Sequence, residues 1–188
     1  MSKLKEFAEF KNVSLPYGRI NILAEGSIGK GNVENMKIKC YIKPELKEFF
    51  GVCLPKKATE GASGFDLRAF LPENVYGDIF ILPGHVVTIP TGLCFDIPDG
   101  YEIEIRGRSG LWFKDSVSIG QHGTIDSDYT GEVKIRLINH GREKFYICNG
   151  DRIAQAVVNK LPEVEMIEGT GDIKETARGV GGFGHTGK

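Results

Sequence analysis

An all-β fold, a sandwich or barrel of many short strands, is what this 188-residue sequence predicts. Three observations carry the expectation. Apolar and polar residues alternate in short runs, most clearly Tyr101, Ile103 and Ile105 against Glu102, Glu104 and Arg106, and a strand places successive side chains on opposite faces. Turn signals punctuate the runs: Pro83-Gly84, Pro98-Asp99-Gly100, His140-Gly141 and Asn149-Gly150. The strand candidates are many, short and closely spaced, which favours a sandwich or barrel over βαβ units.

Taken in order, residues 1–35 are the least legible. Leu4, Phe7, Ala8 and Lys11 stand at the spacing of a short amphipathic helix, and Gly26, Gly29 and Gly31 mark a connection. From Met36 the period changes: Met36, Ile38, Cys40 and Ile42 alternate with Lys37, Lys39, Tyr41 and Lys43, a strand with one wet face. Pro44–Phe50, closed by Gly51, reads as one or two helical turns. Strands are then expected at Gly64–Phe70, Asp78–Leu82, His85–Pro90, Leu93–Ile97, Tyr101–Arg106, Val117–Ile119, Glu132–Asn139, Lys144–Cys148, Arg152–Asn159 and Val164–Ile167. Gly169–Lys188 carries seven glycines and almost no periodicity; it cannot bury a core of its own and is expected to be a mobile arm. The organisation expected is an extension over 1–35, a core over 36–168 and an arm over 169–188.

Hydrophobic residues make up 40% of the chain, enough for a real core, and 24 basic against 25 acidic residues leave a net charge of −1. General nucleic-acid binding needs a basic footprint and is not expected. Cys40, Cys53, Cys94 and Cys148 form no CxxC pair; they read as reduced core residues of a cytoplasmic protein. The four histidines are scattered, so a metal held by imidazole is not expected. No stretch approaches the about 18 apolar residues of a membrane span, and the N-terminus has no signal-peptide core.

The stretch with the most chemistry is Gly123–Val133, GTIDSDYTGEV: Asp126, Asp128 and Tyr129 between two glycines, with Val133, Ile135 and Leu137 alternating after it. It reads as a turn feeding a half-buried strand, and alone it suits a surface hairpin with solvated acids as well as it suits a site. Four further stretches stand out: ATEGASGFDLRA over Ala58–Ala69, RGRSGL over Arg106–Leu111, GDRIAQ over Gly150–Gln155 and RGVGGFGHTG over Arg178–Gly187. Ser109-Gly110 ahead of Leu111-Trp112-Phe113-Lys114 reads as a helix start whose free amides attract anions, with Arg108 adding charge-assisted bonds. Gly182–Lys188 fits the opening of a P-loop, but that motif needs a preceding strand and a following helix, and the reading is rejected.

In this order and spacing the five stretches resemble the five motifs of the trimeric dUTP pyrophosphatases, over about residues 36–188. The resemblance implies a distorted jelly-roll subunit with a flexible glycine-rich arm, and a homotrimer whose active sites are shared between chains. It implies hydrolysis of dUTP to dUMP and pyrophosphate with Mg²⁺, the attacking water being activated by Asp126. Tyr129 then packs under the deoxyribose and rejects a 2′-hydroxyl. Thr124 and Ile125 read the uracil edge, with Gly120 and Gln121 the nearest candidates where some members carry asparagine. Arg108, Ser109, Gly110 and Gln155 hold phosphates; Arg178 and Thr186 contact the triphosphate; Phe183, followed by Gly184, stacks on the uracil. Asp66 corresponds to an aspartate that holds Mg²⁺ through waters. Asp128 is expected to partner a nearby cation, and Arg152 to serve packing or an interface. His185 and Trp112 depart from the residues common at their positions. Two alternatives remain at this point: a dUTPase-like regulatory binding trimer, and a relative of the dCTP deaminases, which use a glutamate in a different third-motif context.

Overall fold

The computed structural model describes residues 18–21, 36–42, 46, 52–71 and 79–182. The expected N-terminal helix, most of the turn at Pro44–Phe50, and Phe183, Gly184, His185 and Thr186 lie outside these residues. Thirteen strands and one helix are described. The strands are β1 (Gly18–Asn21), β2 (Lys39–Ile42), β3 (Lys56–Lys57), β4 (Phe65–Arg68), β5 (Ile79–Ile81), β6 (Val86–Pro90) and β7 (Cys94–Asp96), followed by β8 (Tyr101–Arg106), β9 (Val117–Ile119), β10 (Gly123–Ile125), β11 (Lys134–Asn139), β12 (Phe145–Ile147) and β13 (Arg152–Lys160). The helix α1 (Ser109–Asp115) lies between β8 and β9. Every strand pairing is antiparallel.

The strands form a five-stranded sheet ordered β10-β8-β13-β4-β3, two three-stranded sheets, β1-β2-β7 and β6-β11-β9, and the ribbon β12-β5. Their inward faces close on one core built from Ile42, Leu67, Ile81, Ile89, Ile103, Ile135, Leu137 and Ile153, all essentially buried. The alternation called for an all-β fold of short strands, and the jelly roll is the form that the family resemblance implied. Ile103 and Ile105 point inward while Glu102, Glu104 and Arg106 stay half-exposed. At the turns Gly84, Gly100 and Gly150 take φ of +74°, +78° and +84°, a region that costs glycine little. Asn139, fully buried, donates to the Ile81 carbonyl at 2.8 Å and the Glu143 carbonyl at 2.7 Å and accepts from Gly141 N–H at 2.8 Å. One side chain thus satisfies the turn and ties β11 to β5, as a buried polar group must.

Three expectations fail. Val164–Ile167 is not a strand; Val164, Met166 and Ile167 are 71%, 93% and 80% exposed. Among the described residues no strand lies alongside to complete a ladder. Cys53 and Cys148 are exposed rather than core residues, while Cys40 and Cys94 are buried, and none of the four is in a disulfide. Cys148 closes β12 at the Asn149-Gly150 turn, where its N–H is taken by the Asp151 carboxylate at 2.8 Å. Burial, with the neighbouring Cys94, pushes the Cys40 thiol up to about 12. Finally, Asp128 pairs with no cation among the described residues. β1 and β3 were not foreseen; β1 pairs with β2, so residues 18–21 extend a core sheet.

Candidate active site

Two constellations form on the five-stranded sheet. The first is a cavity at the end of β10. Thr124 and Ile125 sit opposite Glu104 and Ile103 of β8, and the chain then turns at Asp126, whose carbonyl accepts from Tyr129 N–H at 3.1 Å. Thr124, Ile125, Asp126 and Tyr129, with Glu132 and Lys134, line a volume of about 320 Å³, a size suited to a small ligand. Four residues expected from the sequence therefore come together. Asp126 is exposed, and its carboxylate has no hydrogen-bond partner among the described residues. An uncommitted carboxylate on a cavity wall can accept a proton from a water.

The second constellation joins the first, second and fourth stretches. Asp66 of β4, Gln155 of β13 and Arg106 of β8 lie in one row across the sheet. Asp66, with a side chain only 14% exposed, accepts from Arg108 Nε at 3.1 Å and from Arg152 Nη1 at 3.2 Å. Arg108 also donates to the Arg152 carbonyl at 3.0 Å. Gln155 Nε2 donates to the Gly107 carbonyl at 2.9 Å. Its Oε1 lies within 2.5 Å of where a Cβ on Gly64 would stand, so only glycine lets it pass. Arg108 is the N-cap of α1, in extended conformation and with no side-chain cap, and the first helical turn holds no acid. Ser109 and Gly110 are exposed there. Guanidinium groups beside uncapped amides form an environment for phosphate oxygens.

The two constellations do not meet within one chain. On β8, the row through Ile103 and Ile125 and the row through Arg106 and Gln155 are three residues apart, about 10 Å at strand rise. Asp126 continues beyond the first row, while Arg108 is bound at the second. Gln121 is exposed on the turn before β10 and does not line the cavity. Arg178 turns back on its own segment, donating to the Gly181 carbonyl at 2.8 Å. Trp112, half-exposed, meets His140 edge to face at 5.6 Å.

Glu104, on the sheet face between the constellations, is held well below the usual carboxylate range, at about 2, first by its hydrogen bond from Arg106 and then by those from His122 and Asn159. The sequence reading missed Glu132 and Lys134. Glu132 stood inside the third stretch and looked like a strand residue; its carboxylate accepts from Gly92 N–H at 2.8 Å, a partner 40 residues away that no local pattern indicates. Among the described residues no group of three or more His, Cys, Asp or Glu side chains is arranged to hold a metal. No helix among them is long and apolar enough to cross a membrane.

Residues 52–187 match the family described as dUTPase. The chain is 50% identical over 139 residues to the deoxyuridine 5'-triphosphate nucleotidohydrolase of Chlamydia muridarum, covering 73% of this chain and 93% of that one. Among solved structures, the dUTPase of Staphylococcus bacteriophage 80alpha with dUpNHpp superposes with a TM-score of 0.65 at 20% identity, over 80% of this chain and 98% of that one. The dUTPase of phage phi11 of S. aureus, a structure concerned with the coordination of a structural Mg(II) ion, gives 0.58 at 21% identity, over 70% and 97%. The family match over most of the chain, the fold and the half-identical relatives agree, and the chain belongs to the dUTPase family.

Proposed function

We propose that this chain hydrolyses dUTP to dUMP and pyrophosphate, lowering dUTP and supplying dUMP, and that it does so as a homotrimer with active sites shared between chains. The observation that carries the reading is the uncommitted carboxylate of Asp126 on the wall of a nucleotide-sized cavity that also holds Thr124, Ile125 and Tyr129. Asp126 takes a proton from a water. The water oxygen bonds to the α-phosphorus, the bond from that phosphorus to the oxygen bridging to the β-phosphorus breaks, and pyrophosphate leaves with that oxygen. Positioned general bases contribute about 10²–10⁴ in rate. Tyr129 lies under the deoxyribose and leaves no room for a 2′-hydroxyl. The β10 backbone at Thr124 and Ile125 reads the uracil edge, with Gln121 beside it.

Arg108, Ser109, Gly110 and Gln155 hold the phosphates. Asp66 spends both oxygens on guanidinium donors, which suits an outer partner reaching Mg²⁺ through waters better than a direct ligand. Mg²⁺ keeps its waters reluctantly exchanged and is commonly bound by substrate phosphates with one or two carboxylates, so the donor set fits. When bound, the ion would neutralise charge building on the phosphates.

Sharing between chains is supported by the separation of cradle and carboxylate along β8. It is supported too by the exposed apolar run Val164–Ile167, which has no partner strand among the described residues and would gain one from a neighbour. The arm over 169–188, carrying Arg178, Phe183, Gly184 and Thr186, closes over the site and clamps the triphosphate and base once substrate is present. Four cysteines, none of them in a disulfide, support a cytoplasmic location. Pyrophosphate release from dUTP, dCTP and UTP tests the whole reading. Turnover confined to dUTP is expected; release from dCTP or UTP at a comparable rate, or from none of the three, would count against it.

A further inference from the structure

The hairpin over 126–133 is braced by the turn between β6 and β7, and that bracing has no part in the reaction steps above. Tyr129 donates its hydroxyl to the Glu132 carbonyl at 3.1 Å. Its ring lies against Gly131, where a Cβ would come within 2.5 Å of the hydroxyl oxygen and 2.6 Å of Cζ. Nothing larger than hydrogen fits beneath it. The Glu132 carboxylate accepts from Gly92 N–H at 2.8 Å and makes no ion pair among the described residues. Gly92 has φ of +69°, and its Cβ direction is hemmed by Leu46, Val52 and Phe70 at 3.4–3.5 Å, so its amide is fixed by backbone seated on the core. The next residue is tied to the same turn twice: buried Thr91 Oγ1 donates to the Val133 carbonyl at 2.6 Å, and Val133 N–H donates to the Leu93 carbonyl at 2.8 Å. A continuous path thus runs from the core through the Gly92 amide and Glu132 to the Tyr129 ring.

We propose that Glu132 is a positioning residue for sugar specificity. By binding the Gly92 amide it sets where the Tyr129 ring stands in the cavity, and so how strongly a 2′-hydroxyl is rejected. The inference rests on the reading that Tyr129 packs under the deoxyribose. Misplacement by a fraction of an ångström is enough to matter, since positional errors near 1 Å can cost about 10²-fold. A general brace would slow dUTP and UTP alike; a brace acting through Tyr129 changes the ratio between them.

The test is kcat/KM for dUTP and for UTP in the full-length protein and four variants, with melting and sedimentation recorded beside them. Glu132→Ala is expected to lower the dUTP/UTP ratio by about tenfold or more. Glu132→Gln keeps an acceptor for the Gly92 amide and is expected to hold the ratio near that of the unaltered protein. Gly131→Ala displaces the ring while leaving the Glu132–Gly92 bond in place, and is expected to lower the ratio as well; it carries the test alone if Glu132→Ala does not fold. Tyr129→Ala separates this inference from the reading beneath it. A ratio that collapses in Tyr129→Ala but stays unchanged in folded Glu132→Ala and Gly131→Ala overturns the positioning role and leaves the tyrosine reading standing. A ratio unchanged in Tyr129→Ala overturns both. Equal loss in Glu132→Ala and Glu132→Gln also overturns the role, because it would then be the charge that matters.

Discussion

The two constellations of this chain are built on opposite principles. Around Asp66, Arg108, Arg152 and Gln155 the side chains are bonded to one another and to backbone before any ligand arrives. Around Asp126 the reverse holds: the backbone of the hairpin is tied down, but the carboxylate itself has no partner among the described residues. The cradle is organised in advance, which would limit the ordering cost of gripping the flexible triphosphate of the proposed substrate. The cavity keeps its carboxylate free, which leaves it able to take a proton. On the proposed function, binding and chemistry fall at different ends of one sheet, and neither end would be a complete site.

Substitutions can break the contrast at either end. The largest effect is expected at the cavity: Asp126→Asn should lower kcat by about 10²–10⁴-fold while nucleotide binding and melting temperature stay near their original values. Steady-state kinetics beside equilibrium binding of dUMP would read this, and near-normal turnover would remove Asp126 from its role. Removing residues after Thr176 should leave the chain folded and abolish most turnover, because Arg178, Phe183 and Thr186 go together; activity measured with sedimentation checks it. At the cradle, Arg108→Ala should act chiefly on binding. It strips Asp66 of one of two charged donors, and loss of a charge-assisted contact of about 1.5–3 kcal/mol corresponds to a KM for dUTP raised about tenfold or more.

The smallest effect concerns the sheet between them. Glu104 is held at about 2 in the folded chain against an ordinary value of 4.5. A depressed carboxyl favours the folded state above its unfolded value and loses that contribution as pH falls toward the folded one. Thermal stability should therefore fall between about pH 4.5 and about pH 2, and Glu104→Gln should flatten that part of the profile. An identical acid profile in the variant would show that Arg106, His122 and Asn159 matter little to Glu104.

Much of this was readable from the chain. Tyr101–Arg106 and Val117–Ile119 emerged as strands at their expected bounds because alternation and flanking turns agreed. The helix after Ser109-Gly110 is there as well. Where the reading failed, the missing information was long-range. Val164–Ile167 alternates like a strand, yet alternation states which face could be buried and not whether a partner exists. Lys56–Lys57 is a strand only because Phe65 and Asp66 lie beside it; two lysines carry no periodicity. The Asp126–Tyr129 group was visible as residue types on a turn, whereas Glu132 became meaningful only through Gly92. The link between Asp66 and Arg108 spans 42 positions, and sequence spacing alone gave no sign of it.

Division of the site between chains is the central claim, and subunit mixing tests it most directly. Asp126→Asn and Arg108→Ala proteins, each expected at about a tenth or less of the unaltered activity when dUTP is kept well below KM, are unfolded together in equal amounts, refolded and assayed for dUTP hydrolysis under that condition. If the carboxylate and the cradle of each site come from different chains, random mixing restores about a quarter of the sites to full composition. The account predicts activity approaching that fraction of the unaltered protein. Activity no greater than that of the two variants assayed separately, in a refolded mixture shown to contain mixed oligomers, would contradict it.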